Sequence, residues 1–298
     1  MSVKAKKSIK TSKQDTLFYA VISAVILLIL IILLWPLIFI VSSSLSSKEA
    51  VMAGRVFLLP VNFSLEGYKA VFQTNEVLIG FRNTVLYTLF GTMLNVALTL
   101  IAAYPLSRKD LPYRRMWSFI FTFTMIFSGG MIPTYMVVNK LGLMNSPLAM
   151  ILPTAMSVYN LMIARTFMEN SIPSELLEAA RVDGCDDIAY FWKILLPLSK
   201  PVIAVITLYY AVAHWNSYFN AFLYITDAKL NPLQIVLRNI LLANQIDTAM
   251  TTDFDTMTSK QGLADVLKYS LIVVSTLPVM IMSVSYTHLR AHETELHL

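Results

Sequence analysis

Apolar residues run almost unbroken from Leu17 to Val41, and comparable runs recur at about Asn83 to Leu106, Trp117 to Val138, Pro147 to Phe167, Pro201 to Thr226, and from Lys268 onward. Most of these lie near the ~20 residues that a helix needs to cross a hydrocarbon core. Lipid offers no partner to backbone polar groups, so each run is expected to close its own hydrogen bonds as a helix. The alternation of short barrel strands is missing, and the runs are too long and too continuously apolar for it. The pattern predicts an all-α, polytopic integral membrane protein with six transmembrane helices.

Composition agrees. Of 298 residues, 56% are apolar and 14% charged, with a mean hydropathy of +0.63, whereas a soluble domain is about a quarter charged. The net charge of +5 is spread over loop ends, without the basic stripe and interleaved aromatics that mark a nucleic-acid surface. Cys185 is the only cysteine, which excludes a disulfide within the chain and a cysteine-based metal site.

The polar positions between the runs set the topology. Residues 1–16 carry Lys4, Lys6, Lys7, Lys10 and Lys13, and the apolar run that follows exceeds the ~7–15 residues of a signal peptide, so it reads as an uncleaved first span. Arg108, Lys109, Arg114 and Arg115 fill the short second loop, whereas Lys140 stands alone in the third. The positive-inside rule then places both termini in the cytoplasm. The fourth loop, with Arg165, Arg181, Lys193 and Lys200, falls on the same side.

Outside, 42–81 is expected to hold a short ordered cap around Leu59-Pro60 and Leu65 to Tyr68, and 227–265 to form an acidic, flexible loop bearing Asp247, Asp253 and Asp255. The last run loses apolar character after Val284, about four residues short of a full crossing. Residues 285–298 therefore read as a foreign or aberrant tail. His288 and His292 within it lack a third metal ligand, and no metal site is expected.

A cytoplasmic segment, about 169–199, has a different grammar. Ser171-Ile172-Pro173-Ser174-Glu175 is a helix-start signal, with a hydroxyl to cap, a proline tolerated in the first turn and an early acid. The helix is expected to reach about Val182, with Leu176, Leu177 and Ala180 in apolar contact and Glu178 and Arg181 reaching outward. Gly184 supplies a position for positive φ, after which Asp186 caps a second helix through Trp192 toward Leu196, stopped by Pro197. Tyr190, Phe191 and Trp192 serve either a partner's cleft or the membrane interface.

Glu178-Ala179-Ala180, Asp183-Gly184, and Ile194 with Leu196-Pro197 resemble the loop shared by permease subunits of ABC importers. The resemblance runs from Leu17 to about Val284. Phe81-Arg82-Asn83-Thr84, Phe127-Ser128-Gly129-Gly130-Met131-Ile132-Pro133-Thr134-Tyr135 and His214-Trp215-Asn216-Ser217-Tyr218 are similar to carbohydrate importers of the maltose-permease type, in the branch serving oligosaccharides and uronic-acid oligosaccharides. It implies that 17–284 is an ABC transporter transmembrane domain in the bacterial cytoplasmic (inner) membrane. It also implies a second permease subunit, separate ABC ATPase subunits that grip the loop, with Glu178 pairing basic groups there, and an extracytoplasmic sugar-binding protein that delivers a sugar. The chain has no phosphate-cradling glycine loop ending in Lys-Ser or Lys-Thr. It is thus expected to be no enzyme and to hold no cofactor, with ATP and Mg bound by the partner ATPase.

Asn95, Asn160, Tyr210, His214, Asn216, Ser217, Tyr218 and Asn220 are polar or amphipathic positions inside the runs, suited to line a sugar pathway or equally to join neighbouring spans by hydrogen bonds. By spacing, Tyr210, His214, Ser217 and Tyr218 share one helical face. The rival function, an ion-coupled secondary transporter, calls for acidic groups deep in the membrane, and no run has a central Asp or Glu.

Overall fold

A computed structural model describes residues 13–250 and 254–295. Among the described residues the secondary structure is helical, apart from one isolated bridge between Ser46 and Phe63. The helices are α1 (Lys13–Ser44), α2 (Lys48–Met52), α3 (Glu66–Gln73), α4 (Asn75–Ser107), α5 (Arg114–Ile126), α6 (Met131–Lys140), α7 (Leu148–Ile151), α8 (Val158–Ser171), α9 (Glu175–Val182), α10 (Asp187–Tyr190), α11 (Leu196–Leu198), α12 (Lys200–Trp215), α13 (Phe219–Tyr224), α14 (Leu233–Met250) and α15 (Phe254–Glu295).

Three unbroken helical stretches are long and apolar enough to cross a bilayer: Gln14–Ser44, Asn75–Ser107 and Ala264–Val284. Three bent pairs bring the number to six if each is one span: α5 with α6 (108°), Leu148–Thr154 with α8 (53°), and Asp187–Leu198 with α12 (80°). The unbroken runs read from hydropathy are thus corrected at the third, fourth and fifth spans. Each break has a local cause. Gly130 adopts φ +83° between α5 and α6, a conformation that costs other residues strain. Pro153 sits in the 3₁₀ turn Leu152–Thr154, after which the Ser157 hydroxyl caps α8 by accepting from Asn160 N. The third falls at Ser199, between α11 and α12, with Pro201 in the first turn of α12; the predicted fifth run itself stops at Trp215, where Asn216 forms the C-cap.

The chain forms two compact units. In the first, residues 1–70 and 251–273, α1 keeps its apolar side chains exposed from Leu17 to Leu34, as lipid contact requires, and ends in buried serines. There Ser42 Oγ donates to Leu58 O (2.6 Å), Ser46 Oγ donates to Ser42 O (2.6 Å), and the hydroxyls of Ser44 and Tyr68 lie 2.9 Å apart. These bonds order the expected cap.

In the second unit, residues 71–250 and 274–298, α4 is the central element, with α8, α12 and α14 packed against it. It begins at Asn75, eight residues before the apolar run. The expected flexible loop 227–265 is corrected as well. Leu233, Ile235 and Val236 are buried, and α14 occupies much of that segment because these residues face α4. Of the three aspartates placed there, Asp253 lies outside the described residues, and nothing is described of the side chains of Asp247 and Asp255. The backbone of α15 continues past Val284 to Glu295, and 296–298 lie outside the described residues, as do 1–12.

Candidate functional site

The segment about 169–199, expected on the cytoplasmic side, folds as two short helices around a closed turn. Cys185 N donates to Ala180 O (2.8 Å) and Gly184 N donates to Arg181 O (3.1 Å), the paired bonds of a Schellman ending, with Gly184 at φ +78° in its left-handed position. A side chain there would meet no atom within 4 Å, so the demand for glycine comes from the backbone alone. Asp186 Oδ1 then accepts from Ala189 N (2.8 Å) and starts α10. A single π turn, Phe191–Leu195, carries the chain into α11. Helical structure thus passes through Pro197 to Leu198, two residues beyond the expected end, and the sharp change of direction falls at Ser199.

Ala180 is buried and Leu177 half-buried against Met168, Ile172, Tyr190 and Leu195. Leu176 is exposed, a correction to its expected apolar contact, because it lies off the face that Leu177 and Ala180 present to the core. Ser174 precedes α9 without a side-chain capping bond. Phe191 and Tyr190 turn inward onto Tyr104, at centroid separations of 5.4 and 6.2 Å. Trp192 remains outside. The outward surface of the segment consequently carries Glu178, Ala179, Val182 (88% exposed), Ile188 (70%) and Trp192 (63%). Ile194 and Leu196 are half-buried, while Asp183, Gly184 and Pro197 are exposed.

Arg181 does not reach outward as expected. Its Nη2 pairs with Asp110 Oδ2 at 2.9 Å, and Asp110 also takes a two-pronged contact from Arg108, at 2.5 and 2.8 Å. Arg108 further pairs with Asp187 and donates to Tyr104 OH at 2.8 Å. The second loop is thereby tied to both short helices. Sequence reasoning missed Asp110 and Asp187, whose only signal is opposite charge in two loops on the same side. The Arg108 guanidinium, with help from Arg181, holds the Asp110 carboxyl well below the usual carboxylate range. Asp110 in turn, ahead of Asp187, raises Arg108 against the opposing effect of burial. Between the second loop and α9 lies a cleft of about 500 Å³, lined among others by Arg108, Lys109, Glu175, Glu178, Arg181 and Tyr190.

The polar residues of the spans separate into two groups. Asn95, Asn160, Tyr210 and His214 are buried, and two of them, Asn95 and Tyr210, close the break in the fourth span, with His214 bonded to Asn95 behind it. Asn95 Nδ2 donates to Thr154 O (2.9 Å) and faces His214 Nε2 (3.1 Å), which accepts from the amide. Ser157 N donates to Tyr210 OH (2.9 Å), and that hydroxyl also meets Thr99 Oγ1 (2.7 Å). The backbone groups freed at the break thus regain partners, the condition under which broken helices persist in lipid.

Asn216, Ser217, Tyr218 and Asn220 form the other group. The expected single face with Tyr210 and His214 is corrected, because α12 stops at Trp215 and α13 starts only at Phe219. Asparagine and serine compete for the backbone and favour a helix end. Trp215 is fixed by an indole N–H donated to Ser275 O (2.8 Å). Asn216 and Tyr218 are exposed, and Ser217 and Asn220 half-buried.

A helical membrane protein with a protruding two-helix segment and side-chain-sealed breaks in its spans has the build of a transport permease. Residues 95–292 match the family of binding-protein-dependent transport system inner membrane components, and the chain belongs to that family. It is 42% identical over 248 residues to the polygalacturonan/rhamnogalacturonan transport system permease protein YtcP of Bacillus subtilis (strain 168), covering 83% of this chain and 85% of that one. It is 38% identical over 257 residues to protein LplC of the same organism, covering 86% and 85%. A crystal structure of a bacterial ABC transporter involved in the import of the acidic polysaccharide alginate contains a chain 31% identical, with a TM-score of 0.85 over 94% of this chain and 99% of that one. The chain is a multi-pass transport permease of the inner membrane, not an enzyme.

Proposed function

We propose that this chain is one of two permease subunits of an importer for uronic-acid-containing oligosaccharides, and that 175–198 is where an ABC ATPase docks. The carrying observation is the outward surface of Glu178, Ala179, Val182, Ile188 and Trp192. Apolar side chains this exposed, beside the Glu178 carboxylate, suit a partner's cleft better than water. Glu178, Ala179 and Gly184 are the contact and the turn, Ala180 the close-packed support, and Asp183 the residue that ends the first helix. Ile194, Leu196 and Pro197 carry the turn back to the fifth span.

ATP and Mg then belong to the ATPase, and both termini lie on its side of the membrane. The substrate class rests on two relatives, a polygalacturonan/rhamnogalacturonan transport permease and a transporter involved in alginate import. An extracytoplasmic binding protein delivers the sugar. The exposed Asn216–Asn220 break is the better pathway face, while Asn95, Asn160, Tyr210 and His214 hold the helices in place behind it.

The test is ATPase copurification and oligogalacturonate-stimulated ATP hydrolysis in the reconstituted complex. Glu178→Lys is expected to weaken docking by reversing a charge. Gly184→Val adds backbone strain of about 1–3 kcal/mol, and Gly184→Asn, which tolerates the left-handed region, is expected to retain coupling. Full ATPase retention and stimulation in both Glu178→Lys and Gly184→Val removes the docking assignment. Stimulation by neutral oligosaccharides alone removes the substrate class.

A further inference from the structure

Near the junction of the second loop with the third and fourth spans, Arg114, Arg115 and Arg165 line a cavity of about 420 Å³ together with Ser118, Phe119 and Glu169. Two of these arginines are locked. Arg114 Nε and Arg165 Nε both donate to the same carbonyl, Leu106 O, at 3.0 and 3.2 Å, near the C-terminal end of α4. Both also pair with Glu169, Arg165 at 3.4 Å. One carboxylate against three guanidinium groups leaves the cavity lining at a formal +2.

Positive charge at a loop end is ordinarily satisfied by water and topology alone. Three features here ask for more. The Arg114 and Arg165 side chains are only 20% and 22% exposed, so their surplus charge is partly desolvated. Ser118 Oγ, which borders the cavity, is buried without a hydrogen-bond partner among the described residues. The 13-residue helix α5 starts at this cavity with no acidic side chain in its first turn and no side-chain cap, so its N-terminal dipole adds to the attraction for an anion. Arginine forks and a hydroxyl donor are the groups that hold a phosphate. Beside them on α5 stand exposed Met116, Trp117, Phe119 and Phe123, apolar surface suited to acyl chains.

We propose that this cavity binds a phosphate group, that of an anionic phospholipid headgroup, with Arg115 and Ser118 completing a site whose rigid wall is Arg114 and Arg165. Arg115 has no ion pair among the described residues, so its charge is available to a ligand. The lipid headgroup would bridge the second loop and the end of α8, close to the segment that leads into α9.

The experiment is native mass spectrometry of the full chain released from detergent doped with phosphatidylglycerol or phosphatidylcholine. One phosphatidylglycerol is expected to be retained in preference to phosphatidylcholine. Arg115→Gln, which disturbs no described hydrogen bond, is expected to weaken that retention by about fivefold, the worth of one basic side chain at an anionic surface. Ser118→Ala is expected to weaken it too, and Lys140→Gln, an exposed lysine outside the cavity, to leave it unchanged. Displacement of the lipid by millimolar inorganic phosphate would support the phosphate site and assign it to the free anion. Equal retention of the two lipids, wild-type retention in Arg115→Gln, or an equal loss in Lys140→Gln would overturn the proposal.

Discussion

Gly91 and His214 face each other across two helices so closely that a β-carbon at position 91 would stand 2.5 Å from the imidazole Nε2. The ring cannot swing aside, since it is buried and engaged by Asn95 Nδ2 at 3.1 Å. Alanine ordinarily improves a helix over glycine by about 0.8–1 kcal/mol, whereas overpacking costs about 1–3 kcal/mol. The second effect is expected to win. Gly91→Ala should lower the unfolding temperature in detergent, and adding His214→Ala should recover part of that loss, so that the double variant is less damaged than the sum of the singles. Additive losses would show that the two side chains do not compete for one space.

The Arg108–Asp110–Arg181 contacts predict a latch between the second loop and α9. Asp110 and Arg181 are half-exposed, although the Arg108 side chain is only 11% exposed, and exposed pairs contribute about 0–1 kcal/mol each, so the effect is local. Asp110→Asn should raise amide hydrogen exchange in 175–182 while the global unfolding temperature barely changes. The sign with pH follows from the lowered Asp110 carboxyl. Its contribution is fully present above the unfolded aspartate value of about 3.9 and is lost as pH falls through the lower folded value. Exchange corrected for intrinsic rate should therefore be flat from pH 7 to 5 and rise only in stronger acid. A rise already at pH 6 would assign the latch to another group.

The long helices were legible because hydropathy averages over about twenty residues, and a run such as Leu17 to Val41 leaves no alternative. That same averaging hides the breaks. Gly129-Gly130 and Asn216-Ser217 are turn signals in plain sight, yet neighbouring apolar residues outweigh them in any window of span length. The turn at Gly184 was readable since all its determinants are local: a positive-φ residue, a following cap, and a helix-forming stretch before it. Asp110 and Asp187 were not, because opposite charges separated by dozens of residues carry no mark of their partner. The burial of Asn95 and His214 belongs to the same class, being a product of which spans meet.

The segment before α14 is pinned to α4 by side-chain hydrogen bonds as well as by the burial of Pro232. Asn83 Nδ2 donates to both Lys229 O (2.7 Å) and Asn231 O (3.1 Å), Tyr87 OH donates to Leu230 O (2.9 Å), and Leu233 N donates to Thr84 Oγ1 (2.8 Å). Asn83→Ala leaves two carbonyls without their donor, at a cost of about 1–3 kcal/mol. Because Lys229 is exposed, the readout is tryptic cleavage after it. Cleavage should accelerate by about fivefold or more if opening precedes it. An unchanged rate would mean that the segment is held elsewhere.

Orientation in the membrane follows from charge and can be read chemically. Four basic residues in the second loop against Lys140 in the third predict a cytoplasmic α9 segment, the side on which the proposed ATPase docks. Replacing Cys185, the only cysteine, by serine gives a silent background. Glu66 and Ser174 are both exposed positions, on opposite sides of the membrane in this arrangement. A membrane-impermeant maleimide added to intact cells should label Glu66→Cys at once and Ser174→Cys only after permeabilisation. The contrast does not depend on the transported sugar or on any partner, since it reads only which side of the bilayer each thiol occupies. Labelling of Ser174→Cys in intact cells would put α9 outside, beyond the reach of any cytoplasmic ATPase, and the docking assignment would fall with it.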